Sequence, residues 1–545
     1  MKILIIGNGI SGLSAAVEAA SQNMQVDLVA PFTPERTQSV MAAGGINAAI
    51  EDSDSYFLHA KDTFKGGCFL ESEKDLLSYC ENAKENIEWL DEMGVLFNRD
   101  SNHTVSVRAF GGQSHNRTVY AGSSTGKQIV TALSHKCLEY EIQDKIKTHY
   151  GLYFHSALIH DNCCHGVLLF EPKTGQLIPF YADAIIIATG GQNKLFGKTT
   201  GSELCDGYVA GKLFTQGVKL RNLEFIQYHP TTIEIDHKRM LITEAARGEG
   251  GRLYYLNGKQ RIYFMEDKYG KKGNLMPRDI VSREIYNCPS QVYLDISFLD
   301  KKLIHARLEE VYILCKNYLD LDVTKEPIPI APSIHFFMGG IYVDHMHKTN
   351  IEHLYAVGEC ASKYHGANRL GGNSLMAAVY SGRTAIKAIK ENNPSIREDK
   401  QALFSSFINT EKEKIEIMKN SKSSYPVVYI QQMISDIMNH DLGIVRNEKD
   451  LKEGLESIDF YLNILQALHF DPTVSVYENY RIYYMVILSK AILSCALLRK
   501  ESRGAHYRSD YPESKSEYQK SSIVEMINNE ISIHYEQEWQ GDVLE

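Results

Sequence analysis

The chain has 545 residues, more than one hydrophobic core usually supports, so two or three domains are expected. Its charge is mildly acidic, with 58 Lys and Arg against 68 Asp and Glu and no long basic run, which argues against a nucleic-acid partner. The ten cysteines contain no CxxC spacing, so no metal site is predicted and we expect reduced thiols in a cytoplasmic protein.

The chain opens with a dinucleotide-binding fingerprint, MKILIIGNGISGLSAAVEAA. An apolar strand over residues 3–6 meets Gly7, Gly9 and Gly12, and a helix follows. In this order the glycines provide a tight turn, close approach to a pyrophosphate, and packing of the helix on the strand. The second predicted strand, residues 26–29, ends without an acidic residue for a ribose hydroxyl, so the adenosine contacts stay unassigned.

Two later apolar segments favour FAD over NAD as the dinucleotide. Residues 184–191 read AIIIATGG, and residues 354–360 read LYAVGEC and contain Glu359. Either alone could be an ordinary core strand of an α/β sheet. Together with the fingerprint they resemble the returning strands of FAD-dependent oxidoreductases, in which the glutamate meets the ribityl or pyrophosphate region.

Five separated segments carry polar side chains suited to binding a small dicarboxylate and protonating it beside a flavin. A histidine or arginine in any one of them could be structural, but five in one chain with a fingerprint predict a single active site. The segments are FIQYHPTT around His229, LITEAARGEGG around Glu244, PRDIVSR around Arg278, SIHFFMGG around His335 and HGANRLGGNSL around Arg369.

The pattern along the chain predicts an α/β protein with a discontinuous flavin domain. We expect a Rossmann-like FAD-binding domain at 1–221 and 334–391, with an α+β capping domain inserted at 222–333. A helical domain is expected at 392–512 and a C-terminal tail at 513–545. The apolar run 482–498 has Lys490 in its middle, so we expect a buried bundle helix rather than a membrane span.

Through these motifs the chain resembles the flavoprotein subunits of the succinate dehydrogenase and fumarate reductase family, which also includes L-aspartate oxidase. The resemblance extends from residue 2 to about residue 512. It implies that Arg369 and His335 hold one substrate carboxylate, and that His229 and Thr243 hold the other. The planar guanidinium of Arg369 suits bidentate binding of a carboxylate.

The resemblance also assigns the proton chemistry. Arg278 stands at the position of the family's proton donor, and Glu244 and Arg247 match the relay that supplies it with protons. An arginine is an unusual general acid because its pKa is high, so the relay has to replace the proton at once. A buried ion network without a catalytic part is the structural alternative.

The cofactor segment RTQSVMAAGG departs from the family pattern. Gln38 occupies the position of the histidine that binds the flavin covalently in respiratory members, so we expect noncovalent FAD and a bias toward fumarate reduction. Ala43 replaces a Gln or Glu that usually lies beside the ring. The resemblance implies further cofactor contacts for Ser39, Gly44, Gly45, Thr189, Gly190, Asp206, Ser374 and Leu375.

Two positions bear on the branch of the family. Phe110 in RAFGG stands where L-aspartate oxidases place a substrate-binding Glu, and an apolar ring gives a buried ammonium no partner. RLGGNSL likewise resembles the dehydrogenases and reductases rather than the RLASNSL form of the oxidases. Fumarate or succinate is therefore the expected substrate, with L-aspartate oxidase as the alternative and a non-catalytic flavin scaffold as a third hypothesis.

The sequence has no ligands for an electron-transfer centre, so electrons have to come from elsewhere. We expect a separate iron–sulfur subunit as the donor, with a single-chain enzyme reduced by a diffusible donor as the competing hypothesis. Any membrane association, at the inner face of the cell membrane, is expected to be indirect and to run through partner subunits.

Overall fold

The computed structural model describes residues 1–122, 124–236, 238–394, 400–421, 425–466, 470–538, 541 and 543–544. Its strands are β1 (Lys2–Ile6), β2 (Gln25–Ala30), β3 (Ile46–Asn47), β4 (Val107–Arg108), β5 (Thr118–Val119), β6 (Ile146–Tyr150), β7 (Tyr153–His160), β8 (Cys163–Glu171), β9 (Gln176–Tyr181), β10 (Ala184–Ile187), β11 (Leu220–Arg221), β12 (Ile226–Ile235), β13 (Lys238–Leu241), β14 (Arg252–Asn257), β15 (Gln260–Ile262), β16 (Val292–Asp295), β17 (Ile328–Phe337), β18 (Gly340–Tyr342), β19 (Leu354–Ala356), β20 (Ala361–Ser362), β21 (Ser521–Ile527) and β22 (Glu530–Glu536). Its helices are α1 (Ile10–Ser21), α2 (Tyr56–Gly66), α3 (Glu73–Glu81), α4 (Ala83–Glu92), α5 (Thr125–Ile142), α6 (Tyr208–Thr215), α7 (Ala245–Gly248), α8 (Phe264–Tyr269), α9 (Arg278–Tyr286), α10 (Lys301–Arg307), α11 (Glu309–Leu319), α12 (Asn373–Asn392), α13 (Lys400–Lys419), α14 (Val427–Asp441), α15 (Glu448–Gln466) and α16 (Val476–Leu498).

A five-stranded parallel sheet forms the centre of the flavin-binding part, in the order β19-β10-β1-β2-β6. The isoleucines of β1 and β10 are buried, as expected for a parallel sheet covered on both faces. The two later apolar segments are neighbours in this sheet, because β19 pairs with β10 and β10 pairs with β1. The predicted Rossmann-like α/β fold is confirmed.

A second sheet, of six strands in the order β13-β12-β17-β16-β14-β15, lies in the predicted capping region. Within it β12 and β17 are antiparallel neighbours, with Tyr228 opposite Ile334 and His229 opposite Ser333. The register shifts between His229 and Thr232, and such irregularities re-aim side chains at functional sites. The expected boundary at 333/334 falls within β17, so this strand carries His335 from the cap toward the flavin domain.

Four helices, α13 to α16, form the predicted C-terminal helical region, where α16 packs against α15, α14 and α6. Among the described helices, α16 alone has the length and apolar character of a membrane span, and 61% of its most apolar window is buried within the protein. Core helices share these properties, so this is weak evidence for a membrane segment.

The segment at 513–545, named a tail from the sequence, contains a β-hairpin. Strands β21 and β22 pair along their whole length, and β21 extends a sheet through β11, with Leu220 opposite Val524. Leu544 is also buried, in the core of the flavin-binding part. The end of the chain therefore packs against the flavin domain.

Candidate active site

One cavity of about 670 Å³ runs from the β1–α1 turn to the strands of the cap. Every site residue predicted from the sequence lines it except Gly12 and Arg247. Gly12 packs beneath the phosphate turn, and Arg247 lies behind Glu244. The five polar segments and the fingerprint thus meet in one place.

The β1–α1 turn leaves no room for side chains. Gly7 has φ of +111°, and a Cβ there would lie 2.2 Å from the carbonyl oxygen of Ala188. A Cβ on Gly12 would lie 2.0 Å from the Gly7 oxygen, so the helix could not reach the strand. Both glycines act as the fingerprint requires, and the first turn of α1 faces the cavity as an anion-binding end.

Two polar residues near this end already have protein partners. The Ser39 hydroxyl accepts the N–H of Ile10, the first residue of α1, at 3.1 Å. Asp206 accepts the Tyr208 N–H at 3.0 Å and forms an ion pair with Arg481 of α16 at 2.7 Å. The helical region is therefore tied to the cofactor end of the cavity.

The middle of the cavity is lined by small residues of the cofactor segment. Its wall includes Ala43 and Gly44, whose carbonyls accept hydrogen bonds from Arg108 at 3.1 and 3.0 Å. The Gln38 amide donates weakly to the Thr200 carbonyl at 3.4 Å, and its Oε1 has no hydrogen-bond partner within the described chain. The elongated cavity, the bare glycine turn and this free polar atom fit a dinucleotide flavin.

Glu359 lies where the cofactor and capping strands approach each other. Its Oε1 accepts the Phe337 N–H at 3.1 Å, and a Cβ on Gly191 would lie 2.7 Å from the same oxygen. Burial raises the pKa of the Glu359 carboxyl to about 7. This glutamate thus changes charge near neutral pH beside the predicted flavin site.

Arg278 and Glu244 form a buried ion pair on the capping side. Arg278 donates through Nε at 2.9 Å, its Nη2 lies 2.7 Å from the same carboxylate oxygen, and its Nη1 donates to Gln227 at 3.1 Å. The other Glu244 oxygen accepts the Gly111 N–H at 2.8 Å. Burial raises the pKa of Glu244, but the charges of Arg278 and Arg247 outweigh it, so the carboxyl stays ionised.

Arg247 extends this pair away from the cavity. It is fully buried at the end of α7, with Nη2 3.8 Å from Glu244 Oε1 and Nη1 donating to the Asn274 carbonyl at 2.7 Å. Its Nε and Nη2 make no hydrogen bond to any part of the chain that the structure describes. Burial lowers the pKa of the Arg247 guanidinium, which makes it better able to release a proton.

The two predicted substrate histidines lie side by side, with ring centroids 5.1 Å apart. The Nδ1 of His229 lies 3.2 Å from the Thr231 nitrogen and 3.1 Å from the Thr231 carbonyl oxygen, so the main chain can bond the ring with its proton on Nε2 or on Nδ1. That Nε2 is buried and has no partner among the described residues. Burial and the charge of Arg278 hold the pKa values of both histidines well below their usual range, so both rings are neutral.

Arg369 lies four residues before α12, with its Nη1 engaged and its Nε free among the described residues. Its Nη1 donates to the Ser374 hydroxyl at 2.8 Å, and its guanidinium carbon lies 4.3 Å from the Phe336 ring centre. Its Nε is buried and unpartnered with respect to the described chain. Burial and the charge of Arg278 lower the pKa of Arg369, and an anion would reverse that effect.

The remaining predicted substrate residues complete the wall. Thr243 lies just before Glu244 and its hydroxyl accepts the Ala245 N–H at 3.4 Å. Phe110 is 4% exposed, and its ring edge lies 2.7 Å from where a Cβ on Gly371 would stand. The same Cβ would lie 2.9 Å from Arg278 Nη2, so only glycine fits at position 371.

Sequence reasoning missed two residues that connect the site. The Gln227 amide accepts from Arg278 and donates to the Arg369 carbonyl at 2.7 Å, so it joins the two arginines. Thr200 contacts His335 Nδ1 through its hydroxyl at 2.8 Å. Gln227 lies in the FIQYHPTT motif, which drew attention only to the histidine, and Thr200 lies in a segment without a motif.

Known proteins with a similar sequence cover nearly the whole chain. A family model described as FAD binding domain matches residues 2–375, and one described as Fumarate reductase flavoprotein C-term matches residues 431–540. The likeness therefore continues past residue 512, where the sequence analysis expected it to end.

Individual relatives agree with the family models. The chain is 34% identical over 550 residues to the succinate dehydrogenase flavoprotein subunit of Bacillus subtilis, covering 96% of this chain and 94% of that protein. It is 32% identical over 540 residues to the fumarate reductase flavoprotein subunit of Haemophilus influenzae, covering 94% and 89%. The solved quinol fumarate reductase of E. coli superposes with a TM-score of 0.88 at 28% identity, covering 99% of this chain and 97% of that one.

These names do not favour the alternative of an L-aspartate oxidase. A chain that matches subunits of both kinds over almost its full length, and folds as they do, belongs to the succinate dehydrogenase and fumarate reductase flavoprotein family, FAD-dependent oxidoreductases that act on the CH–CH bond of succinate or fumarate.

Proposed function

We propose that the protein reduces fumarate to succinate as the flavoprotein subunit of an electron-transfer complex. The observation that carries this proposal is the charge of the site. Arg247 and Arg278 lie 3.8 and 2.7 Å from the ionised Glu244 carboxylate, and a third buried guanidinium, that of Arg369, lines the same cavity. With Glu359 protonated, below its pKa of about 7, these groups carry an excess of two positive charges, which matches a dianionic dicarboxylate.

The free donors divide into two groups for the two carboxylates. The Nε of Arg369 has no partner among the described residues. Arg369 would therefore bind one carboxylate, together with His335. The Nε2 of His229, which has no partner among the described residues, would bind the other as a protonated donor beside Thr243. A carboxylate bound between His229 and Thr243 would be held out of the plane of the double bond, which favours hydride addition.

Arg278 would protonate one alkene carbon while a hydride adds to the other, so fumarate gains one hydride and one proton. When bound, the flavin supplies that hydride. The proton lost by Arg278 would return through Glu244, 2.7 Å away, from Arg247. Glu244 would lower the cost of this exchange because its carboxylate contacts Arg278 directly and can pass a proton back to it.

We also propose that FAD is held without a covalent bond. Gln38 has an amide where a linking histidine would stand, and an amide cannot form that bond. Because family members without the link generally retain fumarate reduction better than succinate oxidation, reduction is the proposed direction. Acid precipitation tests the attachment: flavin should appear in the supernatant, and a yellow pellet would contradict the proposal.

The electron donor is proposed to be a separate iron–sulfur subunit, since the sequence contains no CxxC or related cluster motif. Relatives are named as subunits, including one of an 8-methylmenaquinol:fumarate reductase of Wolinella succinogenes. Such a partner would place the protein in the cytoplasm at the inner face of the membrane.

The direct test is anaerobic. The purified protein is reduced chemically, and the flavin absorbance is followed after addition of fumarate, with L-aspartate added to a separate oxidised sample. Rapid reoxidation by fumarate without bleaching by aspartate supports the proposal. Bleaching by aspartate would instead identify an amino-acid oxidase.

A further inference from the structure

Among the residues that the structure describes, one side chain, that of Thr200, hydrogen-bonds to the His335 ring. Its Nδ1 lies 2.8 Å from the hydroxyl of Thr200, a residue that is 5% exposed in the loop before α6. The same hydroxyl lies 3.1 Å from the Ile334 carbonyl, which already accepts the Thr200 backbone N–H at 3.1 Å. Two hydrogen-bond arrangements are therefore available to one hydroxyl.

The two arrangements give His335 opposite chemistry. If the hydroxyl donates to Nδ1, the neutral ring carries its proton on Nε2, and Nε2 can donate to a carboxylate. If the hydroxyl donates to Ile334, the ring proton moves to Nδ1 and Nε2 presents a lone pair, which repels an anion. The charges of Arg278 and Arg369 and the burial of the ring oppose a doubly protonated form that would satisfy both sides.

We propose that Thr200 is a positioning residue that sets the tautomer of His335 and so allows this histidine to donate to a substrate carboxylate. The proposal rests on the proposed function, because it concerns how the same site binds a dicarboxylate. When the dianion enters, the hydroxyl turns toward Nδ1, since Ile334 keeps its bond from the Thr200 backbone.

The neighbouring histidine has a different arrangement. The Nδ1 of His229 lies 3.2 Å from the Thr231 nitrogen and 3.1 Å from the Thr231 carbonyl oxygen, so its nearest partners are main-chain groups. His335 relies on a hydroxyl that a single substitution removes. Of the two substrate histidines, His229 therefore bonds at Nδ1 mainly to the main chain, whereas His335 bonds at Nδ1 to the Thr200 side chain.

The test compares three variants of the FAD-loaded protein. Thr200→Val keeps the shape but removes the hydroxyl, Thr200→Ser restores it, and Thr199→Val is the matched control. The Thr199 hydroxyl accepts the Gly201 N–H at 3.1 Å in the same loop, so this control reports general damage to the loop. The probe is malonate, a dicarboxylate that cannot be reduced, and its Kd is read from the change in flavin absorbance.

We expect Thr200→Val to weaken malonate binding and to raise the KM for fumarate about tenfold, with a smaller change in kcat. Thr200→Ser and Thr199→Val should both remain within about twofold of the wild type. Unchanged malonate binding in Thr200→Val, or an equal loss in Thr199→Val, overturns the proposal.

The same measurements separate this inference from the proposed function. A wild type that binds malonate in a Thr200-dependent way but does not pass electrons to fumarate supports the role of Thr200 and contradicts fumarate reduction. A wild type that does not bind malonate overturns both.

Discussion

Arg278 and Glu244 meet as a buried pair, with Nη2 and Nε of the arginine 2.7 and 2.9 Å from one carboxylate oxygen. Arg278 opens α9 and Glu244 immediately precedes α7, so the pair joins two elements of the capping region. The pair lines the cavity, while Arg247 lies behind it. This geometry suits a proton that moves from the interior of the cap to the substrate.

Replacing Arg278 should stop turnover without releasing the flavin. We expect Arg278→Ala to lower kcat by about 10³-fold or more, because no other donor would replace the guanidinium next to Glu244. Fumarate reduction and flavin content are measured on the same sample. Arg283→Ala is the control, since Arg283 lies on the same helix but packs over Tyr507 at 4.5 Å. Near-normal activity in Arg278→Ala would refute its role as proton donor.

Replacing Glu244 should lower the stability of the folded protein. Glu244→Gln leaves Arg278 and Arg247 buried without a counter-charge, and breaking a buried pair costs about 3–5 kcal/mol of unfolding free energy. Urea unfolding at pH 7 measures this loss. Glu284→Gln serves as the control, because its partner Lys268 is largely exposed and such a pair is worth about 1 kcal/mol or less.

The pH dependence of that loss has a definite sign. Because the pKa of Glu244 lies below its ordinary value of 4.5, its contribution to stability is present above pH 4.5 and is lost as the pH falls through the lowered value. The difference in stability between wild type and Glu244→Gln should therefore shrink in acid. A difference that is constant from pH 7 to pH 3 would show that the carboxylate charge is not its cause.

The sequence was sufficient to predict that the five polar segments share a site, because each contains a motif with a chemical role. It could not reveal Gln227 as the link between Arg278 and Arg369, since that contact depends on how the cap lies over α12. The hairpin β21–β22 was missed although its Asn528–Asn529 turn, with φ of 51° and 65°, is a local signal for a hairpin. The sequence could not show where this hairpin docks. Its pairing with β11 joins residues about 300 positions apart, which no local pattern reports.

Glu359 should make stability depend on pH near neutrality, in the direction opposite to Glu244. Its pKa is raised to about 7 by burial, so its contribution to stability is full below pH 4.5 and is lost as the pH rises to about 7. Glu359→Gln cannot ionise, and its stability relative to the wild type should increase over this range, by up to about 3 kcal/mol. Thermal unfolding of the flavin-free protein at several pH values checks this. Parallel curves for the two proteins would contradict the expectation.

A charge at position 110 should exclude the dicarboxylate. Phe110 is buried beside Gly371, and a carboxylate in its place would lie near Glu244 and repel a dianion. We expect Phe110→Glu to raise the KM for fumarate at least about tenfold, whereas Phe110→Leu should change it far less. Steady-state kinetics with both variants measure the effect. Equal changes in the two variants would show that packing, rather than charge, matters at this position.

Position 371 should accept no side chain while Phe110 and the ion pair keep their places. An alanine Cβ there would stand 2.7 Å from the Phe110 ring, 2.8 Å from a Glu244 oxygen and 2.9 Å from Arg278 Nη2, all shorter than a normal contact. Because the ring is held by the core of the cap, the more mobile arginine should yield. We therefore expect Gly371→Ala to lower kcat by about 10²-fold through misplacement of Arg278, with little loss of bound flavin.

The control is Gly443→Ala in the helical region, where the nearest atom to the new Cβ is a carbonyl oxygen at 3.0 Å. Full activity in Gly371→Ala would mean that the Arg278–Glu244 pair tolerates displacement. It would also mean that the glycine at position 371 does not distinguish the activity of this site from that of oxidases with the RLASNSL sequence.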